Sequence, residues 1–188
     1  MIWLYFFLLK RAIFHQCFNN YKLSSKSNVQ VHGMDMRNLG ETSRREPVME
    51  GLLEETVVTT PSLLLELDMH TCELEDLQIS SIFHLKVKRV DYLTALFTYF
   101  DMLFTHGREP VILSTGPESE ATHWRQMIFC LKEDLVVEKE DIVVGEMKVQ
   151  LESSNTRKVD FLVKLRHHGK WGAVKQEETF SMGKSSSD

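Results

Sequence analysis

From Ser62 onward the chain is a succession of short, strand-forming runs separated by turn signals, and this pattern leaves few folds open. Phe83-His84-Leu85-Lys86-Val87-Lys88 alternates strictly, which puts Phe83, Leu85 and Val87 on one face of a half-buried strand. Leu63 to Met69 carries Glu66 and Asp68 on one parity, again as a two-faced strand does. Tyr92 to Thr105 is long and rich in aromatic residues and threonine, which favours a strand over a helix, and its length predicts a bend or bulge. Pro110 to Ser114, Trp124 to Leu131, Ile142 to Leu151, Val159 to Arg166 and Trp171 to Phe180 complete the series, the last polar enough for a sheet edge. His106-Gly107-Arg108-Glu109-Pro110, Thr115-Gly116-Pro117, Ser153-Ser154-Asn155 and His167-His168-Gly169 supply the turns, and Glu73 to Leu77 could form one helical turn. About eight strands with no alternating helices predict a mainly β fold, an antiparallel sandwich or barrel.

The segments upstream read differently. Residues 1–27 begin with an apolar run, Met1 to Leu9, and end in a Ser/Lys/Asn-rich linker; residues 28–60 mix Gly, Arg and Glu with few strand formers. The barrel is expected over residues 61–182, followed by a frayed tail at 183–188. The apolar run is far below the roughly 20 residues of a membrane helix. Its basic residues, Lys10 and Arg11, follow the run, where a signal peptide has them first. A membrane-tethered fragment is therefore the weakest reading. A net charge of −5 gives no reason to expect nucleic acid as a partner. Cys17, Cys72 and Cys130 have no metal-ligand spacing; their odd count suits buried thiols in a reducing compartment, with Cys130 a core residue.

A search for chemistry finds little. None of the nine glycines stands two residues from another, which removes the Gly-rich cradles for nucleosides and phosphates, and no metalloprotease or nucleophile-elbow motif occurs. His167 and His168, adjacent on a strand and so directed to opposite faces, are expected to be solvated turn residues rather than joint ligands. One cluster is harder to set aside. Ser114 to Trp124 is a Gly/Pro loop ending in Thr122-His123-Trp124 as a strand begins. An indole at such a junction can wall a pocket or stack on a cation. It can equally be a cap on the end of the barrel.

The same cluster, STGPESEATHWRQMIF, resembles the threonine-histidine-tryptophan loop of the protein arginine methyltransferases. Lys88 to Tyr92 resembles a junction between that family's barrel strands. GEMKVQLESSNTRKVDFLVKL resembles its Asn-x-Arg-x-x-Asp hairpin, and Val31 to Met36 its dimerisation-arm signature. The resemblance runs from about Val31 to Met182. It implies the family's C-terminal antiparallel β-barrel with a short helical arm remnant, in an S-adenosyl-L-methionine-dependent enzyme that makes monomethyl and asymmetric dimethyl arginine in proteins, histone-type substrates included. It also implies a catalytic role for His123, hydrogen-bonded to an acidic partner, and a substrate-binding role for Thr122 and Trp124. A cytoplasmic or nuclear location is implied as well.

The Gly-rich donor motif and the paired carboxylates that clamp the substrate guanidinium have no counterpart in these 188 residues. The expectation is thus a chain that binds no S-adenosyl-L-methionine and is inactive alone. The alternative is a non-catalytic module that pairs with an intact homologous methyltransferase subunit. In the family one barrel strand precedes the arm; here Arg11 to Phe18 is expected to substitute for it, with Met1 to Leu9 loosely packed or helical.

Overall fold

The apolar start of the chain is a strand in the middle of a sheet. In the computed structural model, which describes residues 1–10, 30–31, 34–35, 45–105, 107–152 and 155–183, β1 (Ile2–Lys10) lies between β5 (Ser62–Leu67) and β7 (Asp91–Phe104), antiparallel to both. This corrects two expectations. The first is that Met1 to Leu9 is loosely packed and the second that it is helical, for it is neither; the expected substitute strand, Arg11 to Phe18, lies outside the described residues. An unbroken apolar run has no period of its own, and here its strand form is set by partners on both edges.

Two short strands follow, β2 (Gln30–Val31) and β3 (Met34–Asp35), paired with each other. Next come β4 (Val48–Glu50) and a 3₁₀ turn at Glu54–Thr56. The described part of the arm therefore holds strands and one 3₁₀ turn, where a helical remnant was expected. The remaining strands are β6 (Ile79–Lys86), β8 (Val111–Ser114), β9 (Gln126–Val137), β10 (Ile142–Glu152), β11 (Asn155–Gly169) and β12 (Gly172–Met182). They form a six-stranded sheet in the order β4-β9-β7-β1-β5, with β8 added to β7, and a four-stranded sheet in the order β12-β11-β10-β6. The polar last strand is indeed an edge.

Hydrogen bonding does not run unbroken around the two sheets. They meet at two seams. At one, Thr59 bridges Val87, and the Lys88 amide donates to the Val58 carbonyl (2.8 Å). At the other, the Gln176 side chain of β12 spans to β9, accepting from the Glu133 amide (3.1 Å) and donating to the Glu133 carbonyl (2.8 Å).

Between the sheets lies the core. Phe83, Leu85 and Val87 are fully buried, as their alternation predicts. Phe129 of β9 meets Phe161 and Phe180 of the opposite sheet edge-to-face, at centroid distances of 5.2 and 5.1 Å. Edge-to-face packing suits the charge distribution of the rings and adds to their burial. A side chain at Gly145 would run into the Phe83 ring and the Lys164 carbonyl, so the close approach of β10 to β6 and β11 requires glycine there. The predicted bulge of the long strand falls between Leu93 and Ala95 of β7, where Thr94 is an extra residue against β1 and is fully buried; on the other edge β9 carries the extra residues, 131–134, opposite it. Cys130 departs from expectation: it is only partly buried, as is Cys72.

Candidate functional site

The candidate loop leaves β8 at Ser114 and enters β9 at Gln126, and its two ends are pinned while its tip is open. At the near end Thr115 is buried, and its hydroxyl both donates to the Phe100 carbonyl (2.9 Å) and accepts from the Phe100 amide (3.0 Å). The Thr115 amide also donates to that carbonyl (3.1 Å), so backbone and hydroxyl together extend the ladder of β7 one residue past β8. Ser114 donates to the Asp101 carboxylate (2.5 Å) and accepts from the Gly116 amide (3.1 Å). Gly116 sits against the Tyr99 ring, where an added side-chain carbon would come within 3.0 Å.

At the far end Gln126 is buried and acts as a tie. Its amide nitrogen donates to the Thr115 carbonyl (2.6 Å), and its oxygen accepts from the Leu52 amide (2.8 Å). The loop base and the segment after β4 are thereby held to one side chain. Sequence reading missed Gln126 and Thr115 as positioning residues. The available signal was a glutamine at the start of an apolar strand, which must find partners for both ends of its amide when buried.

Between these anchors lies Thr122-His123-Trp124. The Thr122 hydroxyl accepts from the Trp124 amide (3.2 Å) and donates to its carbonyl (3.0 Å), a local turn that fixes the backbone of the pair after it. The His123 ring lies on the Trp124 ring with centroids 4.1 Å apart and a tilt of 35°. Phe100 supports the indole from the strand, edge-on at 6.3 Å. Trp124 remains 41% exposed. Its indole, with Glu50, Glu120, Arg125 and Gln126, lines an open cavity of about 260 Å³. Thr122 and Trp124 thus line a polar pocket, His123 is stacked on the indole, and the indole is not buried.

Three of the described glycines are positions of close approach within the fold. Gly116 packs on Tyr99, Gly145 on Phe83 and Gly169 on His167, each close approach made to a side chain of the protein itself. Among the described residues no three His, Cys, Asp or Glu side chains converge as metal ligands.

The second histidine turn contradicts its sequence reading. His168 is exposed, but His167 is buried, and its Nε2 lies 3.0 Å from the Asp141 carboxylate. The Glu138 amide donates to the same carboxylate oxygen (2.9 Å). That backbone hydrogen bond, with His167 beside it, holds the Asp141 carboxyl below its ordinary range against the cost of partial burial. Gly169 makes the arrangement possible, since a side-chain carbon there would fall 2.5 Å from His167 Cε1.

Residues 10–170 match the model of the arginine methyltransferase oligomerization subdomain. The chain is 33% identical to protein arginine N-methyltransferase 8-B of Danio rerio over 84% of its own length and 37% of the relative's. It is 30% identical to protein arginine N-methyltransferase 1 of Caenorhabditis elegans over 81% of its length and 44% of the relative's. A solved structure titled as the Trypanosoma brucei PRMT1 enzyme–prozyme heterotetrameric complex with AdoHcy superposes with a TM-score of 0.84 at 25% identity, covering 97% of this chain and 56% of that one. Protein arginine methyltransferase 10 of Arabidopsis thaliana, at 16% identity, shares the fold with a TM-score of 0.80, over 97% of this chain and 59% of that one. The chain therefore spans less than half the length of these curated relatives.

Proposed function

Because the chain belongs to the protein arginine methyltransferase family, we propose that its 188 residues form the substrate-facing half of an enzyme that moves a methyl group from S-adenosyl-L-methionine to protein arginine. The observation that carries this reading is the half-exposed Trp124 indole at the mouth of a cavity, held by Thr122 and backed by Phe100. A rigid indole face there lines the channel through which a guanidinium enters, with a favourable cation–π contact. Thr122 sets its orientation. His123, exposed and stacked on the indole, offers its ring nitrogens to an acidic group from the part of the relatives that this chain does not span.

Methyl transfer needs the donor sulfur, the methyl carbon and the acceptor nitrogen in line, and carboxylates to orient the cation. The residues here supply one wall of that arrangement, and neither the donor site nor the clamp. Histone-type proteins, mono- and asymmetric dimethylation, and a cytoplasmic or nuclear setting belong to the same proposal. Purified chain, labelled methyl donor and a Gly/Arg-rich peptide test it. No turnover is expected from the chain alone, and turnover above background would overturn the reading.

A second reading is favoured by one finding: the related Trypanosoma chain is part of a complex titled enzyme–prozyme. On this reading the chain pairs with an intact homologous subunit and changes its rate without catalysing. Co-purification with an intact family member, together with a change in that member's turnover, separates it from the first.

A further inference from the structure

The outer face of the four-stranded sheet carries a like-charge arrangement that the fold itself does not explain. Arg166 of β11 stands directly opposite Lys175 of β12, and both are exposed. Across Val144 of β10 the same row ends in His84 of β6, also exposed, and His168 stands on the same face one row away. Cations directly opposite one another on a sheet face oppose pairing, with side-chain roots only about 5 Å apart.

The carboxylates nearby do not relieve them. Glu146 pairs with Lys148 (3.2 Å), Glu177 with Lys164 (3.7 Å), Glu140 with Lys86 and Glu138 with Lys170 (3.1 Å). Among the described residues no carboxylate lies within ion-pair distance of Arg166 or Lys175. A protein of net charge −5 thus keeps two adjacent, uncompensated cations on an otherwise neutralised face.

We propose that this face is a docking surface for an acidic peptide segment of a partner protein, with Arg166 and Lys175 taking its carboxylates. The row also fixes the kind of segment. Neighbouring strands lie about 5 Å apart, so His84 stands some 10 Å from Arg166 with Val144 between them. Ile82 adds an exposed aliphatic side chain one row over. Carboxylates alternating with aliphatic residues match that order of charge and apolar contact. A nucleic acid matches it poorly: Glu146 and Glu177 lie in the adjacent row, where a continuous phosphate backbone would meet them, and neither row carries a Phe, Tyr or Trp for a base to stack upon.

The test uses the full 188-residue chain and a fluorescein-labelled twelve-residue peptide of alternating Asp and Val, read by anisotropy. Binding is expected, weakening steeply with added salt and falling at least tenfold in the Arg166→Glu/Lys175→Glu double variant. A scrambled Lys/Val peptide should not bind. Thermal melting supplies the second readout: Lys175→Glu replaces a repulsive pair by an attractive one, so the variant should melt no lower than the parent while binding worse. Absence of peptide binding, equal binding by the double variant, or tighter binding of a twelve-nucleotide dT strand than of the acidic peptide would each overturn the proposal. So would a melting temperature lowered by Lys175→Glu, since the row would then be serving the fold.

Discussion

The protein has two histidine-bearing turns, alike in sequence and opposite in construction. His123 follows a Gly/Pro loop and stays exposed, stacked on an indole that is itself open to solvent. His167 precedes a glycine at a hairpin end and is buried, bound to Asp141, with Gly169 cleared to make room for it. The difference lies in where the surrounding polar groups are spent. At the His167 end every ordered group closes on another: Glu138 on Asp141, Asp141 on His167, and Lys170 on Glu138. At the His123 end the long-range closures lie at the base of the loop, at Thr115 and Gln126; the tip has only the local Thr122 turn and presents an aromatic surface. The first arrangement stabilises a hairpin; the second holds a surface ready for something else.

The sharpest way to break the contrast is at Gly169. Replacing it with alanine displaces the His167 ring and loosens its bond to Asp141, and a stability loss of about 3 kcal/mol is expected in urea or thermal melts. A Gly169→Ala variant as stable as the parent would mean that the closed end is not held by this packing.

Gln126 tests the base of the open end. In Gln126→Leu the Leu52 amide and the Thr115 carbonyl lose their partner while the volume is roughly kept, at an expected cost of about 2 kcal/mol. The loop tip should then become mobile. Faster amide exchange confined to residues 115–126 would confirm the tie, and uniform exchange across the sheet would not.

How these two ends could be read from sequence differs for physical reasons. Alternation located β6 and its buried face because Phe83, Leu85 and Val87 report period two without ambiguity. The long aromatic strand likewise announced its bulge against β1 through its length. Met1 to Leu9 misled because an unbroken apolar run has no period, and its strand identity depends on two partners, β5 and β7, distant in the chain. The Thr122–Trp124 loop was legible because local turn chemistry is written locally. His167 was not, since its partner Asp141 lies 26 positions away. Only the register of β10 against β11 brings their ends together. Gln126 was missed on the same ground: its role is set by Leu52, 74 positions upstream.

Acid titration sharpens the contrast further. The Asp141 carboxyl is held below its ordinary value by the Glu138 amide and His167, so its contribution is present above about pH 4, the value of a free aspartate, and is lost as pH falls through the lower folded value. Asp141→Asn should flatten the stability profile in that acid range and leave the relative profile above it unchanged. A variant whose profile below pH 4 parallels the parent's would remove Asp141 from the account.

The smallest expected effect is at Trp124. In a packed core, removal of an indole costs roughly 3–5 kcal/mol. Here the ring is 41% exposed, with Phe100 touching it edge-on and His123 stacked from the solvent side. More than half of its surface is covered, but none of it belongs to the packed core, so Trp124→Ala should lower the stability of this chain by about 1 kcal/mol, well short of the core cost. The Thr122 turn should survive, because both of its hydrogen bonds go to the backbone of residue 124, which alanine retains. If the indole instead serves substrate geometry, the same substitution in an intact methyltransferase of this kind should lower kcat/KM by an order of magnitude or more at nearly unchanged melting temperature. A loss of several kcal/mol in the isolated chain would erase the contrast between the two turns, for it would make Trp124 as structural as His167.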